Sequence, residues 1–326
     1  MSTRSARPAA GERSERGSAN HFERVAVVGT GLLGGSVALA VRERRLAREV
    51  VAVVRRAEAQ REVLARGIAD RAELDLAAGV RGADLVVLAS PVHAMPALLA
   101  GLAPHLAPGA IVTDVGSVKA TLAESLPPLL PSGTCYVGSH PMAGSHHTGY
   151  AHARADLFES AACIVTPAKP ANAAAEERVI WLWRALGCRV LRRSAQRHDE
   201  EVAWVSHAPH AIAFAFAASL EGAPVAAREL AGTGFRDFTR IAASDPAMWA
   251  DILVNNKQAL AAPLLFAAER AAALARAIES GDAASVTSLL TAARDQLAQG
   301  GANAHSGGAH PRPETNKAAK SAATKE

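Results

Sequence analysis

Hydrophobic positions follow two different periods along the chain. Up to about Ser194 short apolar runs alternate with amphipathic segments, whereas only helix-period patterns follow it. The alternation predicts an α/β domain with a doubly wound, mostly parallel sheet, and the second half predicts an all-helical domain. The strand-like runs are residues 24–28, 50–54, 83–91, 109–117, 135–138, 162–167 and 188–192. Helical patterns lie near residues 57–66, 94–104, 119–127 and 172–186, and then near 196–221, 224–231, 246–260, 264–279 and 283–298, the first of these five interrupted by Pro209.

The first strand leads into a glycine-rich turn that is followed by a helical pattern. The G-x-G-x-x-G spacing, placed between a strand and a helix, is typical of a Rossmann dinucleotide-binding domain. Here the first glycine permits a tight turn, the second admits a pyrophosphate close to the backbone, and the third lets the helix pack on the strand. We expect the cofactor to contact Gly29, Gly31, Leu32, Leu33 and Gly34, with Ser90 and Pro91 at a neighbouring strand end. The alternative is a glycine-rich turn of some other α/β fold.

The end of the second strand bears on the choice of cofactor. An NAD site usually has an acidic residue there for the ribose diol, but this chain has Val54 followed by Arg55 and Arg56. Arginines suit a 2′-phosphate, so the sequence favours NADP over NAD. The alternative is that both arginines are a solvated helix start.

Composition separates the ends of the chain from its middle. The formal net charge of +4 lies in two tails, each with four basic and two acidic residues and almost no large apolar side chains. We therefore expect residues 1–22 and 301–326 to be disordered, residues 23–193 to form the Rossmann domain, and residues 194–300 to form a helical substrate and dimerisation domain. Because the charge belongs to the tails, the pI near 9.2 does not indicate a nucleic-acid partner.

Other features describe the setting of the protein. No apolar run is long enough to span a membrane, and the N-terminal tail lacks the apolar core of a signal peptide. The three cysteines have no C-x-x-C spacing, which favours reduced thiols in a cytoplasmic protein. A helical domain this apolar often completes its core against a second subunit, so we expect a homodimer.

Four histidines lie in the stretch GSHPMAGSHHTGYAH (138–152). A zinc site would need tightly spaced ligands with cysteine or acidic support, but no acidic residue follows His140 until Asp156. Metal binding is therefore not expected. A base with an unperturbed pKa near 6.5, just past a strand end, is the better interpretation of His140.

Five blocks, taken in order, resemble the prephenate/arogenate dehydrogenases of tyrosine biosynthesis. They are VVGTGLLGGS at the glycine turn, DVGSVK (114–119), GSHPMAGS (138–145), HDEEVAWVSHAPHAIAFA (198–215) and GTGFRDFTRIAASDPAMWADILVNNK (232–257). The resemblance covers roughly residues 24–260. It implies an NAD(P)-dependent dehydrogenase that converts prephenate into 4-hydroxyphenylpyruvate with loss of carbon dioxide.

The resemblance also assigns expected roles to individual residues. His140 matches the family's catalytic histidine, and Ser117 matches the serine that hydrogen-bonds the substrate hydroxyl and that histidine. An alternative for Ser117 is an N-cap of a helix starting near Val118. Lys119 is a weaker candidate that could be a surface cation.

Further residues are expected around the substrate. Arg240 matches the arginine that grips a substrate carboxylate, with Arg236 as its rival. Asp237 could orient Arg240 or form a plain surface pair with it. The remaining candidates are His207, which matches the family's histidine near the substrate, His210 one turn later, and the pocket residues Ser145, His146 and His147.

The substrate and the reaction both have alternatives. Some family members carry an acidic residue where this chain has His146, and an acid would favour the ammonium of arogenate, so this chain favours prephenate. The alternative is an arogenate or dual-specificity cyclohexadienyl dehydrogenase. A β-hydroxyacid dehydrogenase would place its catalytic lysine one turn from an asparagine, which contiguous Asn255, Asn256 and Lys257 fit worse. A non-catalytic cofactor-binding protein could lose the base or the arginine, but both are present.

Overall fold

The computed structural model describes residues 21–145 and 147–305, and one eight-stranded sheet lies at its centre. The strands are β1 (Phe22–Val28), β2 (Ala47–Val53), β3 (Arg71–Glu73), β4 (Leu85–Leu88), β5 (Ile111–Asp114), β6 (Cys135–Pro141), β7 (Ala162–Pro167) and β8 (Arg189–Arg192). Their order is β3-β2-β1-β4-β5-β6-β7-β8. Every neighbouring pair is parallel except β6 with β7. The predicted doubly wound, mostly parallel sheet is confirmed.

Helices connect these strands. They are α1 (Leu32–Glu43), α2 (Ala57–Ala65), α3 (Leu76–Val80), α4 (Met95–Leu102), α5 (Ala120–Ser125) and α6 (Ala173–Ala185). Sequence periodicity predicted all of them except α3, and all strands except β3. Both missed elements are short, with five and three residues, so neither shows a full period of its own pattern.

The sheet separates two apolar clusters, because successive side chains of a strand point to opposite faces. Val25 and Val27 of β1 belong to the cluster that contains Trp183 of α6. Ala26 and Val28 belong to the cluster on the other face, with side chains from α4 and α5. This double burial explains why the central strands appear in the sequence as uninterrupted apolar runs.

The second half contains helices and short connections, with no strand after β8 among its described residues. Its helices are α7 (Ala195–Val202), α8 (Ala208–Ser219), α9 (Thr233–Thr239), α10 (Pro246–Asn255), α11 (Lys257–Glu279) and α12 (Ala283–His305). The interruption predicted at Pro209 is a π-helical turn over Ala203–His207, which leaves Pro209 in the first turn of α8. The predicted helix 246–260 is wrong as one element, because α10 ends at Asn255 and Asn256 caps it.

Both predicted tail boundaries need correction. β1 starts at Phe22, whose fully buried side chain anchors it, and α12 continues to His305. The rest of both tails, residues 1–20 and 306–326, lies outside the described residues. The contacts within the chain define two compact units that divide after Leu264, and the domain boundary predicted at residue 193 stays a prediction. Within the described ranges, no helix combines the length and apolarity needed to cross a bilayer.

Candidate active site

The glycine turn lies where β1 ends, beside the ends of β2 and β4. Gly29 has a φ of +95°, which a residue with a side chain rarely adopts, and a Cβ there would lie 2.6 Å from the carbonyl oxygen of Ala89. A Cβ at Gly34 would lie 1.9 Å from the carbonyl oxygen of Gly29, so the first turn of α1 contacts the loop directly. At Gly31, in contrast, a Cβ would meet nothing within 4 Å.

The open space over Gly31 is where a dinucleotide pyrophosphate would need to approach the backbone, at the N-terminus of α1. Leu32 and Leu33 are the first residues of this turn of α1 and are partly exposed. Ser90 follows β4 at the same sheet edge, next to exposed Pro91, and its Oγ is buried without a hydrogen-bond partner among the described residues. The residues present therefore fit a dinucleotide.

Arg55 and Arg56 lie two and three residues past the end of β2. β2 pairs with β1 so that Val53 is opposite Val28, and this places both arginines near the glycine turn. Both are exposed, and Arg56 is also the N-cap residue of α2 without a capping side-chain bond. The position is compatible with the 2′-phosphate interpretation and also with the helix-start interpretation.

His140 is in β6, opposite Ile164 of β7, and is 6% exposed. Its Nδ1 lies 2.8 Å from Nε2 of His198, and its Nε2 has no hydrogen-bond partner within residues 21–145 and 147–305. Burial lowers the pKa of His140 well below its usual value, and the nearby His198, Lys119 and His207 lower it further. His140 is therefore a neutral imidazole at physiological pH.

His198 and Asp199, at the centre of α7, continue this contact. Nδ1 of His198 lies 2.7 Å from Oδ1 of Asp199, and burial lowers the pKa of His198 to about 2. The Asp199 carboxylate also accepts hydrogen bonds from the backbone N–H groups of Lys119, at 2.8 Å, and Ala120, at 2.9 Å. Asp199 thus caps the N-terminus of α5 from a position 80 residues along the chain.

This geometry corrects the capping alternative for Ser117. α5 starts at Ala120 with Lys119 as its N-cap residue, so Ser117 lies outside the helix start. Ser117 follows β5 and is partly exposed at the same edge of the sheet as the end of β6. Its hydroxyl is therefore not used to cap α5, because Asp199 already holds the free N–H groups.

Lys119 is fully buried, and its interpretation as a surface cation is wrong. Its ammonium forms an ion pair with the fully buried carboxylate of Asp114 and donates to the carbonyl oxygen of Ser139 at 2.9 Å. Asp114 also accepts from Tyr136 Oη at 2.6 Å and from the backbone N–H of Gly116 at 2.7 Å. The buried pair joins the end of β5 to β6 at Ser139, the residue before His140.

His207 occupies the end of the π-helical turn and is fully buried. Asn256 Nδ2 donates to the carbonyl oxygen of Asp199 at 3.0 Å and lies 2.8 Å from Nδ1 of His207. Because that nitrogen is a donor, Nδ1 of His207 accepts and the ring proton is on Nε2. This buried Nε2–H has no partner among the described residues, and burial lowers the pKa of His207 to about 4. His210 instead donates to the carbonyl oxygen of Ser206 and stacks on Trp249.

Arg240 is exposed where α9 ends, and its positive charge helps to lower the pKa of His210, after burial. Asp237 is also exposed, and no ion pair within 4 Å links it to Arg240 in the part of the chain described here. Arg236 donates to the carbonyl oxygen of Ala231 at 2.7 Å, so its guanidinium is already engaged with the turn before α9. This engagement favours Arg240 over Arg236 as the arginine available to a ligand.

Ser145 and His147 line a cavity of about 560 Å³ that also contacts Leu32 at the start of α1. Ser145 Oγ accepts from the backbone N–H of His147 at 3.1 Å, and the His147 ring stacks on His152. His146 lies outside the described residues, so its predicted place in the pocket stays a prediction. Across residues 21–145 and 147–305, no set of three or more His, Cys, Asp or Glu residues is arranged to hold a metal ion.

The sequence interpretation missed His198, Asp199, Asp114 and Asn256. Each is a polar residue that the fold buries, and periodicity alone does not distinguish such a residue from a solvated one. One available signal was His198-Asp199 next to each other at the start of a predicted helix. A histidine beside an aspartate offers a donor and an acceptor that can satisfy each other when both are buried.

Both halves of the chain match a known protein family. Residues 37–192 match the family described as prephenate dehydrogenase, nucleotide-binding domain, and residues 194–292 match the prephenate dehydrogenase dimerization domain. The chain is 35% identical over 238 residues to prephenate dehydrogenase of Bacillus subtilis (strain 168), a match that covers 72% of this chain and 64% of that protein. It is also 35% identical over 244 residues to cyclohexadienyl dehydrogenase of Zymomonas mobilis, covering 73% of this chain and 83% of the relative.

A solved structure extends the likeness to three dimensions. Prephenate dehydrogenase from Aquifex aeolicus, crystallised with hydroxyphenyl propionate and NAD⁺, superposes with a TM-score of 0.78 at 29% identity. The superposition covers 85% of this chain and 98% of that one. Both the sheet and the helical half therefore have counterparts in that enzyme.

Proposed function

The chain belongs to the prephenate dehydrogenase family, and on this basis we propose that it catalyses the oxidative decarboxylation of prephenate to 4-hydroxyphenylpyruvate. The observation that carries the proposal is His140, a buried and neutral imidazole near the end of β6, at the same edge of the sheet as the glycine turn. A neutral imidazole with a free ring nitrogen can accept the substrate's hydroxyl proton.

The reaction needs little else from the protein. When bound, a nicotinamide would accept the hydride that leaves the ring carbon bearing the hydroxyl. His140 holds the hydroxyl proton at Nε2 while the C–CO₂⁻ bond breaks and its electron pair enters the ring. The phenol oxygen recovers a proton as the product leaves, so the net reaction releases none. Ser117 hydrogen-bonds the same hydroxyl, and aromatisation supplies the driving force without a metal.

The substrate's carboxylates and side chain need fixed partners. The buried Nε2–H of His207 is a donor without a partner among the described residues, which suits an oxygen of the substrate. The guanidinium of Arg240 can hold a ring or side-chain carboxylate with two parallel hydrogen bonds. Asp237 contributes charge near Arg240, Ser145 and His147 line a polar cavity, and we also assign His146 to the substrate pocket. Prephenate is favoured over arogenate because His146 offers no acid for an ammonium.

Arg240→Ala will mainly raise KM for prephenate, because a carboxylate contact exists in the ground state as well as in the transition state. Loss of a charge-assisted hydrogen bond corresponds to about 1.5–3 kcal/mol, or roughly ten- to a hundred-fold in KM. The measurement is steady-state kinetics at saturating cofactor. Arg236→Ala is the matched control, with its guanidinium bound to Ala231, and should leave KM nearly constant. If KM rose in Arg236→Ala and not in Arg240→Ala, the carboxylate contact would be assigned to Arg236.

The cofactor is a nicotinamide dinucleotide held by Gly29, Gly31, Leu32, Leu33 and Gly34, with Ser90 and Pro91 beside it. NADP is favoured over NAD because Arg55 and Arg56 present positive charge near the glycine turn and no acidic residue replaces Val54. A homodimer is favoured because the helical half exposes large apolar side chains, among them Trp204, Val205 and Val254.

The experiment that tests the function is an assay of cofactor reduction by the purified full-length chain. Prephenate and arogenate are each offered with NAD⁺ and with NADP⁺, and the release of carbon dioxide is measured in parallel. Fastest turnover with prephenate and NADP⁺ is the expected result. Turnover with arogenate alone would reject the preference drawn from His146, and a preference for NAD⁺ would reject the role of Arg55. No reduction with any pair would reject the enzyme function and leave a non-catalytic cofactor-binding protein.

A further inference from the structure

We infer that His198 and Asp199 are positioning residues that fix the ring proton of His140 on Nδ1, so that Nε2 is the atom that accepts the substrate proton. The inference rests on the proposed function for the identity of the reaction. The arrangement of ring protons, however, can be observed without turnover. It follows from the chain of contacts His140–His198–Asp199 and from the donors around Asp199.

The three side chains His140, His198 and Asp199 have only one consistent arrangement of protons when Asp199 is ionised. Burial raises the pKa of Asp199, and two backbone hydrogen bonds oppose that rise by favouring the ionised carboxylate: Oδ1 accepts from the N–H of Lys119 and Oδ2 from that of Ala120. An ionised carboxylate only accepts, so Nδ1 of His198, at 2.7 Å, must donate to it. A neutral His198 then has its lone pair on Nε2. That lone pair faces Nδ1 of His140 at 2.8 Å, so Nδ1 of His140 carries the proton.

Charges around the two rings keep them neutral before the reaction. His140 is faced by His198, by the Lys119 ammonium and by His207, whereas His198 is faced by Lys119, His207, Glu201 and the Asp199 carboxylate. Burial and the lysine oppose a positive charge on either ring. Nε2 of His140 is therefore an acceptor at the start of the reaction and not an N–H donor.

The same hydrogen-bonded contacts stabilise the imidazolium that forms when His140 accepts a proton. When the hydroxyl proton binds Nε2 of His140, the Nδ1–H bond to His198 strengthens, and the carboxylate of Asp199 lies at the far side of His198. A buried carboxylate that holds a histidine in one tautomer and stabilises its charged form plays this part in hydrolytic triads. Here a second imidazole is interposed between the base and the carboxylate.

Two substitutions of His198 separate this role from simple packing. In His198→Gln the side-chain oxygen can reach the place of Nε2 and still accept from His140, although the bond to Asp199 is lost. In His198→Asn the amide N–H can replace Nδ1–H toward Asp199, but nothing accepts from His140. We expect His198→Asn to lower kcat for prephenate about 10–100-fold, a part of the roughly 10²–10⁴-fold effect of a positioned base. His198→Gln should keep kcat at least about ten-fold above that of the Asn variant. Equal kcat values for the two variants, or full kcat in His198→Asn, would overturn the inference.

Histidine ¹⁵N NMR of the full-length chain gives a readout that does not depend on turnover. Spectra of wild type and His140→Gln assign the His140 signals, and thermal unfolding shows that each variant is folded. We expect a protonated Nδ1 and an unprotonated Nε2 in wild-type His140, and the opposite in His198→Asn. His207 should show the opposite tautomer to His140 in the same wild-type spectrum, because Asn256 donates to its Nδ1. Protonated Nε2 in wild-type His140 would reject the inference even if prephenate is turned over. The expected tautomer without turnover would reject the proposed function alone.

Discussion

Replacing His140 with asparagine will lower kcat for prephenate oxidation by about 10²–10⁴-fold, the size of a positioned general base. Asparagine keeps an N–H near the place of Nδ1, so the contact with His198 can persist while the accepting nitrogen at Nε2 is removed. The fold should survive because the replacement fills most of a 6% exposed site without adding charge. KM should change little, because the hydroxyl proton is transferred only as the transition state forms.

The control for this experiment is His105→Asn. His105 is an exposed histidine in a 3-10 helix after α4, and it makes none of the contacts described for the site. The His105→Asn substitution removes one imidazole from the surface and should leave kcat at the wild-type value. Steady-state kinetics and thermal unfolding of both variants, measured side by side, separate chemistry from stability. Near wild-type kcat in a folded His140→Asn protein would contradict the assignment of the base.

The fold was predictable where periodicity is strong. The fully buried strands β4 and β5 appear as apolar runs, and the glycine turn between β1 and α1 has a spacing that no ordinary loop needs. The strand ends then placed Ser117, His140 and the glycine turn at one edge of the sheet, since the carboxyl ends of parallel strands meet there. Positions in a parallel sheet can therefore be read from sequence order once the strands are known.

The residues that hold His140 in place were not predictable from periodicity. Asp199 caps α5 and, through His198, contacts His140, although these residues lie 80 and 58 positions away from their partners. No local pattern encodes such a distance. The tautomer inferred for His140 follows from three-dimensional contacts alone, whereas its place near the carboxyl end of a strand follows from the sequence, although β6 runs on through His140 to Pro141 instead of ending at residue 138 as predicted. The burial of Lys119 was likewise hidden, because a lysine in the first turn of a helix is usually solvated.

Replacing Lys119 with methionine will destabilise the protein by about 3–5 kcal/mol, the cost of leaving one member of a buried ion pair alone. Both side chains of the Lys119–Asp114 pair are 0% exposed, so water cannot replace the ammonium. The carboxylate of Asp114 would keep its bonds from Tyr136 and Gly116 but lose its counter-charge. Urea unfolding followed by tryptophan fluorescence measures the change. Arg66→Met, which breaks the exposed pair with Glu62, is the control and should cost less than about 1 kcal/mol.

A double substitution tests whether the charge or the shape of Lys119 is responsible. Asp114→Asn removes the carboxylate charge while an amide oxygen can still accept from Gly116, so Lys119→Met combined with Asp114→Asn no longer buries an unpaired charge. The double variant should be less destabilised than the sum of the two single variants, by about 1–3 kcal/mol. Strict additivity would mean that Lys119 stabilises the junction of β5 and β6 by packing its stem, with the ion pair contributing nothing beyond it. A coupling energy of the expected sign would instead show that β5 and β6 are held together next to His140 by the buried charge pair itself.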